Sequence, residues 1–454
     1  MEEVGIPPSG CAFLNRRTLM RRVTTTSNTI TYTNKTRHIV FAGLVVVLYL
    51  FLRNASRANQ PLMTGDLATG TNRLASLLIP ELSTSLSSSS TPSTTIISAY
   101  GVLHALSMLI PGAVPSSSSH TELLRTLYEG LSEGGAVKEL AALSSSLRDV
   151  LEEANAAFVS KSLAIQPGYQ ETLEASYDAE VLPLESADQV NSWVSEKTRE
   201  KITSIIDDSV AAQAALVLIN AIYFKASWEH EFRPSDTSEM PFARLDGSSV
   251  SAQMMYMKYE KTGTTFMSGW EFEVDGIACI AVRLRYQGGN VSAVFAMPKD
   301  DEEIGGDGIS AAYGEKLEAC QDAMLHRRAV WRAVDKSAGG YNAGKIFVPR
   351  FEVEAEHSLT TPLKERLGLS SIFRPGDFAR IADGNLAVSE VKQKVFVKVD
   401  EEGTEAAAVT AVIALRMMPI GPVDELFVRF DKPFYFGIVH EDTGLHVFSG
   451  VVSL

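Results

Sequence analysis

Cysteine is scarce in this chain of 454 residues: Cys11, Cys279 and Cys320 are all there is. Three are too few for a disulfide framework, and none stands in the C-x-x-C spacing that zinc or redox chemistry uses. The fold is therefore expected to rest on its core, with Cys279, inside Gly-Ile-Ala-Cys-Ile-Ala, as a buried and inert thiol. Catalytic signatures are missing as well. The eight histidines form no H-E-x-x-H pair, and G-x-S-x-G, G-x-x-x-x-G-K and G-x-G-x-x-G do not occur. The acidic run Asp300, Asp301, Glu302, Glu303 and Asp307 lacks the alternating oxygen ligands of a calcium loop, so no metal, no cofactor and no enzymatic activity are expected.

Basic charge is also in deficit. Lys and Arg number 41 against 55 Asp and Glu, a net of −14. Residues 1–58 hold eight basic and two acidic side chains, a balance of +6, so the remaining 396 carry −20. A body this acidic repels phosphate backbones, which excludes nucleic acid as an expected partner. Ile39 to Leu52 is fourteen residues without a charge, short for a bilayer span but suited to a signal sequence or signal anchor, and the basic lead before it places the body outside the cell. On this reading the protein is extracellular or in the secretory lumen, secreted or anchored through residues 39–52; a transit peptide is the other option. Residues 59–95 read as a Ser/Thr-rich linker with the first helix of the domain, and 96–454 as the domain itself.

Apolar content of 45% is enough for a large core. Val102, Ala105, Leu106 and Leu109 have helical spacing, and Glu122 to Glu153 repeats helical periodicity. Strand-like runs come later: Ala215 to Phe224, Val291 to Met297, Phe351 to Glu356 with period two, and Val395, Val397 and Val399. A further helix over Thr361 to Leu367 ends at Gly368. Helices first and long strands later indicate an α+β protein.

From Glu401 the chain reads EEGTEAAAVTAVIALRMM. Its Glu and Ala content favours a helix. At period two, however, Thr404, Ala406, Ala408, Thr410, Val412 and Ala414 form one face of short side chains, and no proline interrupts Glu401 to Met418, so the segment is equally able to become a central strand.

Seven ordered motifs between about Ile96 and Leu454 resemble the serpin family: ANAAFVSKSLAIQPGY from Ala154, NSWVSEKTREKI from Asn191, NAIYFKASWEHEF from Asn220, Pro241-Phe242 followed by Met254-Met255, VPRFEVEAE from Val348, EEGTEAAAVT from Glu401, and the ending RFDKPFYFGIVHEDTGLHVFSGVV. The resemblance implies a metastable fold with a large central sheet, two smaller sheets, surrounding helices and an exposed reactive-centre loop at about 401–426. It implies a monomeric suicide inhibitor whose partner is a serine protease, trapped as an acyl-enzyme when the cleaved loop inserts as a strand. A chaperone or carrier of the same fold, or an inhibitor of cysteine proteases, remains the alternative. By the same resemblance Gly403, Thr404, Glu405, Ala406, Ala407 and Ala408 form the hinge, Ser98, Asn220 and Gln393 the shutter behind the sheet, and Trp228, Arg350 and Glu401 the breach where the loop enters. Seventeen residues from Glu401 put the reactive bond at Met417-Met418, suiting elastase-, chymotrypsin- or subtilisin-like pockets. The stretch to Pro433 is about five residues longer than usual, which leaves Arg416 and a trypsin-like target open. Two departures stand in the shutter: S-P-x-S is Ser98-Ala99-Tyr100-Gly101 here, and the usual histidine is Gln393. They lead us to expect easier spontaneous insertion or polymerisation.

Overall fold

A computed structural model describes residues 66–85, 94–128, 130–260, 267–288, 290–299, 311–326, 343–404 and 425–454. The lead, residues 39–52, Cys11, the acidic run at 300–307 and the loop from Glu405 to Asp424, with Ala406, Ala407, Ala408, Arg416, Met417 and Met418, lie outside them.

The amino-terminal half is built of helices around strands. In order come α1 (Leu67–Ser85), β1 (Thr95–Ile97), α2 (Ala99–Ser107), α3 (Leu109–Gly112), α4 (Ser118–Leu127), α5 (Glu133–Leu147), β2 (Leu151–Ser160), α6 (Pro167–Tyr177), β3 (Glu180–Leu184), α7 (Ala187–Lys197) and α8 (Asp208–Gln213). The helical stretch expected over 122–153 is broken. Gly130 takes a positive φ of 87°, Ser132 caps α5 by accepting from the Gly135 amide, and Leu151 onward is drawn into a sheet. Local periodicity lost there to long-range pairing.

Strands dominate the carboxy-terminal half: β4 (Leu216–Phe224), β5 (Ala226–Ser227), β6 (Ser238–Ala243), β7 (Ser249–Glu260), β8 (Met267–Val274), β9 (Ile277–Arg285), β10 (Val291–Pro298), then α9 (Ala311–His326), β11 (Ala343–Pro349), β12 (Phe351–Ser358), α10 (Thr360–Glu365), β13 (Glu390–Val399), β14 (Gly403–Thr404), β15 (Glu425–Arg429), β16 (Phe434–His440) and β17 (Leu445–Val452). In β12 the alternation is complete: Phe351, Val353 and Ala355 are buried and the glutamates between them exposed. β4 is buried at every position, as a run of apolar residues covered on both faces must be.

The strands form three sheets. One has six strands, β1-β17-β16-β10-β9-β8, and another four, β15-β11-β7-β6. The third has seven: β3, β2, β4 and β13 lie side by side, β12 pairs with β13, and β14 and β5 close its upper end. The mixed α+β architecture with one large and two smaller sheets is the one expected.

The cysteine expectation needs correcting. Cys279 of β9 and Cys320 of α9 are joined by a disulfide within a small buried cluster with Val274, Ala319 and Ala323. They are 41 residues apart in sequence, and only the packing of α9 against the β8-β9-β10 edge brings them together.

Candidate functional site

The large sheet has a seam. β4 and β13 run parallel and are directly paired, with Asn220 opposite Gln393 and Tyr223 opposite Phe396. Above that level their continuations diverge, and β14 sits between them: Thr404 pairs with Val399 on one side and with Ala226 on the other, and Gly403 with Ser227. The chain that leads into the loop from Glu405 thus begins as a two-residue wedge at the top of a closed seam. Gly403 is required there, because a Cβ would meet the Ala226 carbonyl oxygen at 2.2 Å and the Ser227 Cα at 2.7 Å, both main-chain atoms that cannot yield. Thr404 is fully buried, its hydroxyl 2.6 Å from that of Tyr286.

Around this wedge the residues singled out in the sequence converge. Trp228 follows β5, stacks on Tyr286 with ring centroids 4.4 Å apart, and its indole N–H donates to the Asp400 carbonyl at 2.9 Å. The Trp228 and Phe232 amides donate to the carbonyls of Glu402 and Glu401. Arg350, between β11 and β12, donates to both Glu401 carboxylate oxygens at 2.5 Å, and Thr237 Oγ1 donates to one of them at 2.6 Å. Burial alone would raise the Glu401 carboxyl; the Thr237 hydroxyl and the Arg350 guanidinium outweigh it and hold it below the usual range.

At mid-seam lies a second cluster. Gln393 is fully buried and uses all three of its close bonds: Oε1 accepts from the Ser98 amide at 3.0 Å, and Nε2 donates to the Ser98 carbonyl at 2.9 Å and to Asn220 Oδ1 at 2.7 Å. Asn220 Nδ2 donates to Asn155 Oδ1 at 2.8 Å and to Glu153 Oε1 at 3.3 Å. The Ser98 hydroxyl is not spent on the sheet. It caps α2 by accepting from the Gly101 amide, so Ser98 meets Gln393 through its main chain. Gly101 is filled rather than vacant, since a Cβ there would lie 2.2 Å from Asn220 Oδ1. Glycine at 101 and glutamine at 393 are a matched pair: the first makes room for Asn220 and the second reaches it.

Glu153, His104, Tyr100 and Asn155 complete this polar cluster and were missed in the sequence. His104 lies on the buried face of an apolar helix, and Glu153 precedes the motif at Ala154; nothing in their spacing links residues 49 apart. Among the described residues no group of histidine, cysteine and carboxylate side chains could hold a metal ion.

Comparison with known proteins agrees with this geometry. A family model described as Serpin (serine protease inhibitor) matches residues 75–454. The chain is 30% identical to Iripin-5 of Ixodes ricinus, over 78% of the chain and 88% of that protein. It is 29% identical to leukocyte elastase inhibitor A of Mus musculus, over 82% and 96% respectively. Its fold matches native protease nexin-1 crystallised with heparin at a TM-score of 0.67, with 24% identity over 85% of this chain and 97% of that one.

These comparisons overturn the expected placement outside the cell. Leukocyte elastase inhibitor A of Mus musculus and of Rattus norvegicus are matched over 96% and 97% of their own length with only 82% and 83% of this chain covered. The export reading, which rested on residues 39–52 and the basic lead before them, is withdrawn; among the described residues, which do not include 39–52, no helix is long and apolar enough to cross a membrane.

Proposed function

This chain belongs to the serpin family of protease inhibitors, and from that premise we propose that it is an irreversible suicide inhibitor of serine endopeptidases acting as a monomer without a cofactor. The observation that carries the reading is the closed β4–β13 seam with Gly403 and Thr404 already wedged at its head. Next in the chain comes a proline-free segment with one face of small side chains, suited to continue between two strands that offer it hydrogen-bonding partners on both sides.

In the proposed cycle the protease serine attacks the carbonyl of Met417, the bond to Met418 breaks with its nitrogen leaving protonated, and the acyl-enzyme forms. Freed at one end, the loop continues the pairing begun at Thr404, and the tethered protease is carried along before water can release it. The free energy comes from strand bonds and burial that the uncleaved chain cannot make, a stored-strain device. Methionine favours elastase-, chymotrypsin- or subtilisin-like pockets, and Arg416 a trypsin-like one.

The full chain is incubated in turn with chymotrypsin, pancreatic elastase, subtilisin and trypsin. A complex that survives denaturant is expected with at least one, and the released carboxy-terminal peptide starts at Met418, or at Met417 if Arg416 directs cleavage. Cleavage without complex in all four cases overturns the trapping reading.

A further inference from the structure

Strand insertion separates β4 from β13 by one further strand spacing, about 4.8 Å. A hydrogen bond or ion pair near 3 Å that bridges the two sides cannot stretch that far. Helix α2 lies under the seam and is bonded to both sides of it. At its first residues Ser98 holds β13 through Gln393. Two and six residues later Tyr100 and His104 hold β2, the strand paired with β4, through Glu153. Opening the seam must break one of these two grips or drag α2 sideways.

The second grip is a buried ion pair. His104 is 2% exposed. Its Nε2 donates to the Tyr177 carbonyl at the end of α6 at 2.7 Å, and its Nδ1 donates to Glu153 Oε1 at 3.0 Å. As the imidazolium the ring donates to both the Tyr177 carbonyl and the Glu153 carboxylate. The neutral ring with its proton on Nε2 instead accepts at Nδ1 from the Asn155 amide nitrogen 3.2 Å away, a group that also lowers Glu153 by donating to its carboxylate. Tyr100 donates its hydroxyl to Glu153 Oε2 at 3.1 Å and meets Ser144 of α5 at 2.7 Å. Glu153 Oε1 in turn accepts from Asn220, the residue facing Gln393 across the seam. A buried ion pair in an apolar layer gains little stability over packed hydrophobic side chains, because desolvation offsets the attraction. Its position, between the moving strands and the helix beneath, gives it a different use.

We propose that His104 and Glu153 are positioning residues for loop insertion: an ion-pair clasp from α2 to β2 that keeps Asn220 seated and the β4–β13 seam shut until the loop is cut. This rests on the trapping reading. The clasp also makes opening depend on pH. Burial favours neutral His104, but the Glu153 carboxylate outweighs it and holds the imidazolium above its ordinary value; burial likewise opposes ionised Glu153, and His104 with Asn155 and Tyr100 holds it below the usual carboxylate range. The other charged neighbour is Asp178 at the end of α6, itself paired with Arg148 at the surface. The pair is intact between the two values and is lost as pH rises through that of His104.

The test uses the uncleaved full chain and a synthetic peptide of residues 405–415, whose uptake into the seam is followed as a function of pH from 6 to 9.5. Wild type is expected to take up the peptide faster as pH rises. Glu153→Gln is expected to do so at least tenfold faster at pH 6 and with a flat profile, and His104→Asn likewise; a merely structural role shifts thermal stability and leaves the profile parallel to wild type. Should Glu153→Gln fail to fold, His104→Asn decides, with the same acceleration and loss of the alkaline rise expected. Rates within twofold of wild type and parallel profiles overturn the clasp. If wild type accepts no peptide and traps no protease, the insertion reading fails; if it does both while the variants match it, the clasp alone fails.

Discussion

Individual residues at the seam show how burial and charge are reconciled. Glu401 is 4% exposed and would be costly there without the Arg350 guanidinium. Strand β17 shows the reverse solution, a titratable group kept neutral. His446 on β17 is 1% exposed, and the Tyr435 hydroxyl donates to its Nδ1 at 2.6 Å. Burial pushes its ionisation down to about 3, from 6.5 in the open chain. Between those two values the unfolded chain binds a proton that the folded chain refuses, so stability rises with pH across that window and is lost as pH falls through it. The loss is about 1.4 kcal/mol per pH unit. Urea midpoints measured at pH 6.5 and 4.5 are expected to fall for wild type by more than for His446→Gln, which keeps an acceptor for Tyr435 but takes no proton; equal falls would show that His446 does not carry the effect.

At the scale of elements, the register fixed by three residue pairs predicts where an inserting loop would lie. Thr404 opposes Val399, so on the β13 side partner numbers sum to 803; Thr404 opposes Ala226, so on the other side they sum to 630. Continuing both, residue 410 meets Gln393 and Asn220 together, the very pair that closes the seam. Thr410 would replace their mutual bond with its own hydroxyl, and its small side chain would face inward beside them. Thr410→Arg is therefore expected to leave cleavage by a target protease unchanged and to divert most of the inhibitor to cleaved, uncomplexed product, since an unpaired buried guanidinium costs several kcal/mol. Gel analysis of complex against cleaved product checks this; an undiminished yield of complex would place the strand in another register. Thr404 is a poorer position for the same test, because it is already buried against Tyr286 before cleavage.

These elements also show what the sequence could and could not disclose. Period two in β12 and the continuous apolar run of β4 were legible because burial acts on each residue through its own strand. The Arg350–Glu401 and Asn220–Gln393 contacts were anticipated only through family resemblance, since their partners are 51 and 173 residues apart. The Cys279–Cys320 bond and the His104–Glu153 pair were not legible at all. Each depends on a helix docking on a sheet, and each residue taken singly looks like ordinary core.

Across the whole molecule the proposed mechanism requires the large sheet, whose β4 and β13 are already paired, to accept one more strand, which is the condition for a kinetically held state. A strand of residues 405–414 would gain about two ladder bonds per residue and, by parting β4 from β13, give up about one, a net of about 1 kcal/mol per residue, along with burial of its small face. Against this stands an ordering cost of roughly 1–2 kcal/mol per residue. The bonds and the ordering nearly cancel, so the net gain depends on burial of Ala406, Ala408, Val412 and Ala414 and on relief of the closed seam. A gain on the order of 5 kcal/mol corresponds to a rise in melting temperature of about 6 °C in a domain of this size, at about 2.1 cal/mol/K of unfolding entropy per residue. Cleaving the loop with a protease that is not trapped, then comparing melting of intact and cleaved chains, is expected to show at least that rise. Cleaved chain that melts with the intact one would mean that the seam does not open, and the fold would then serve binding rather than trapping.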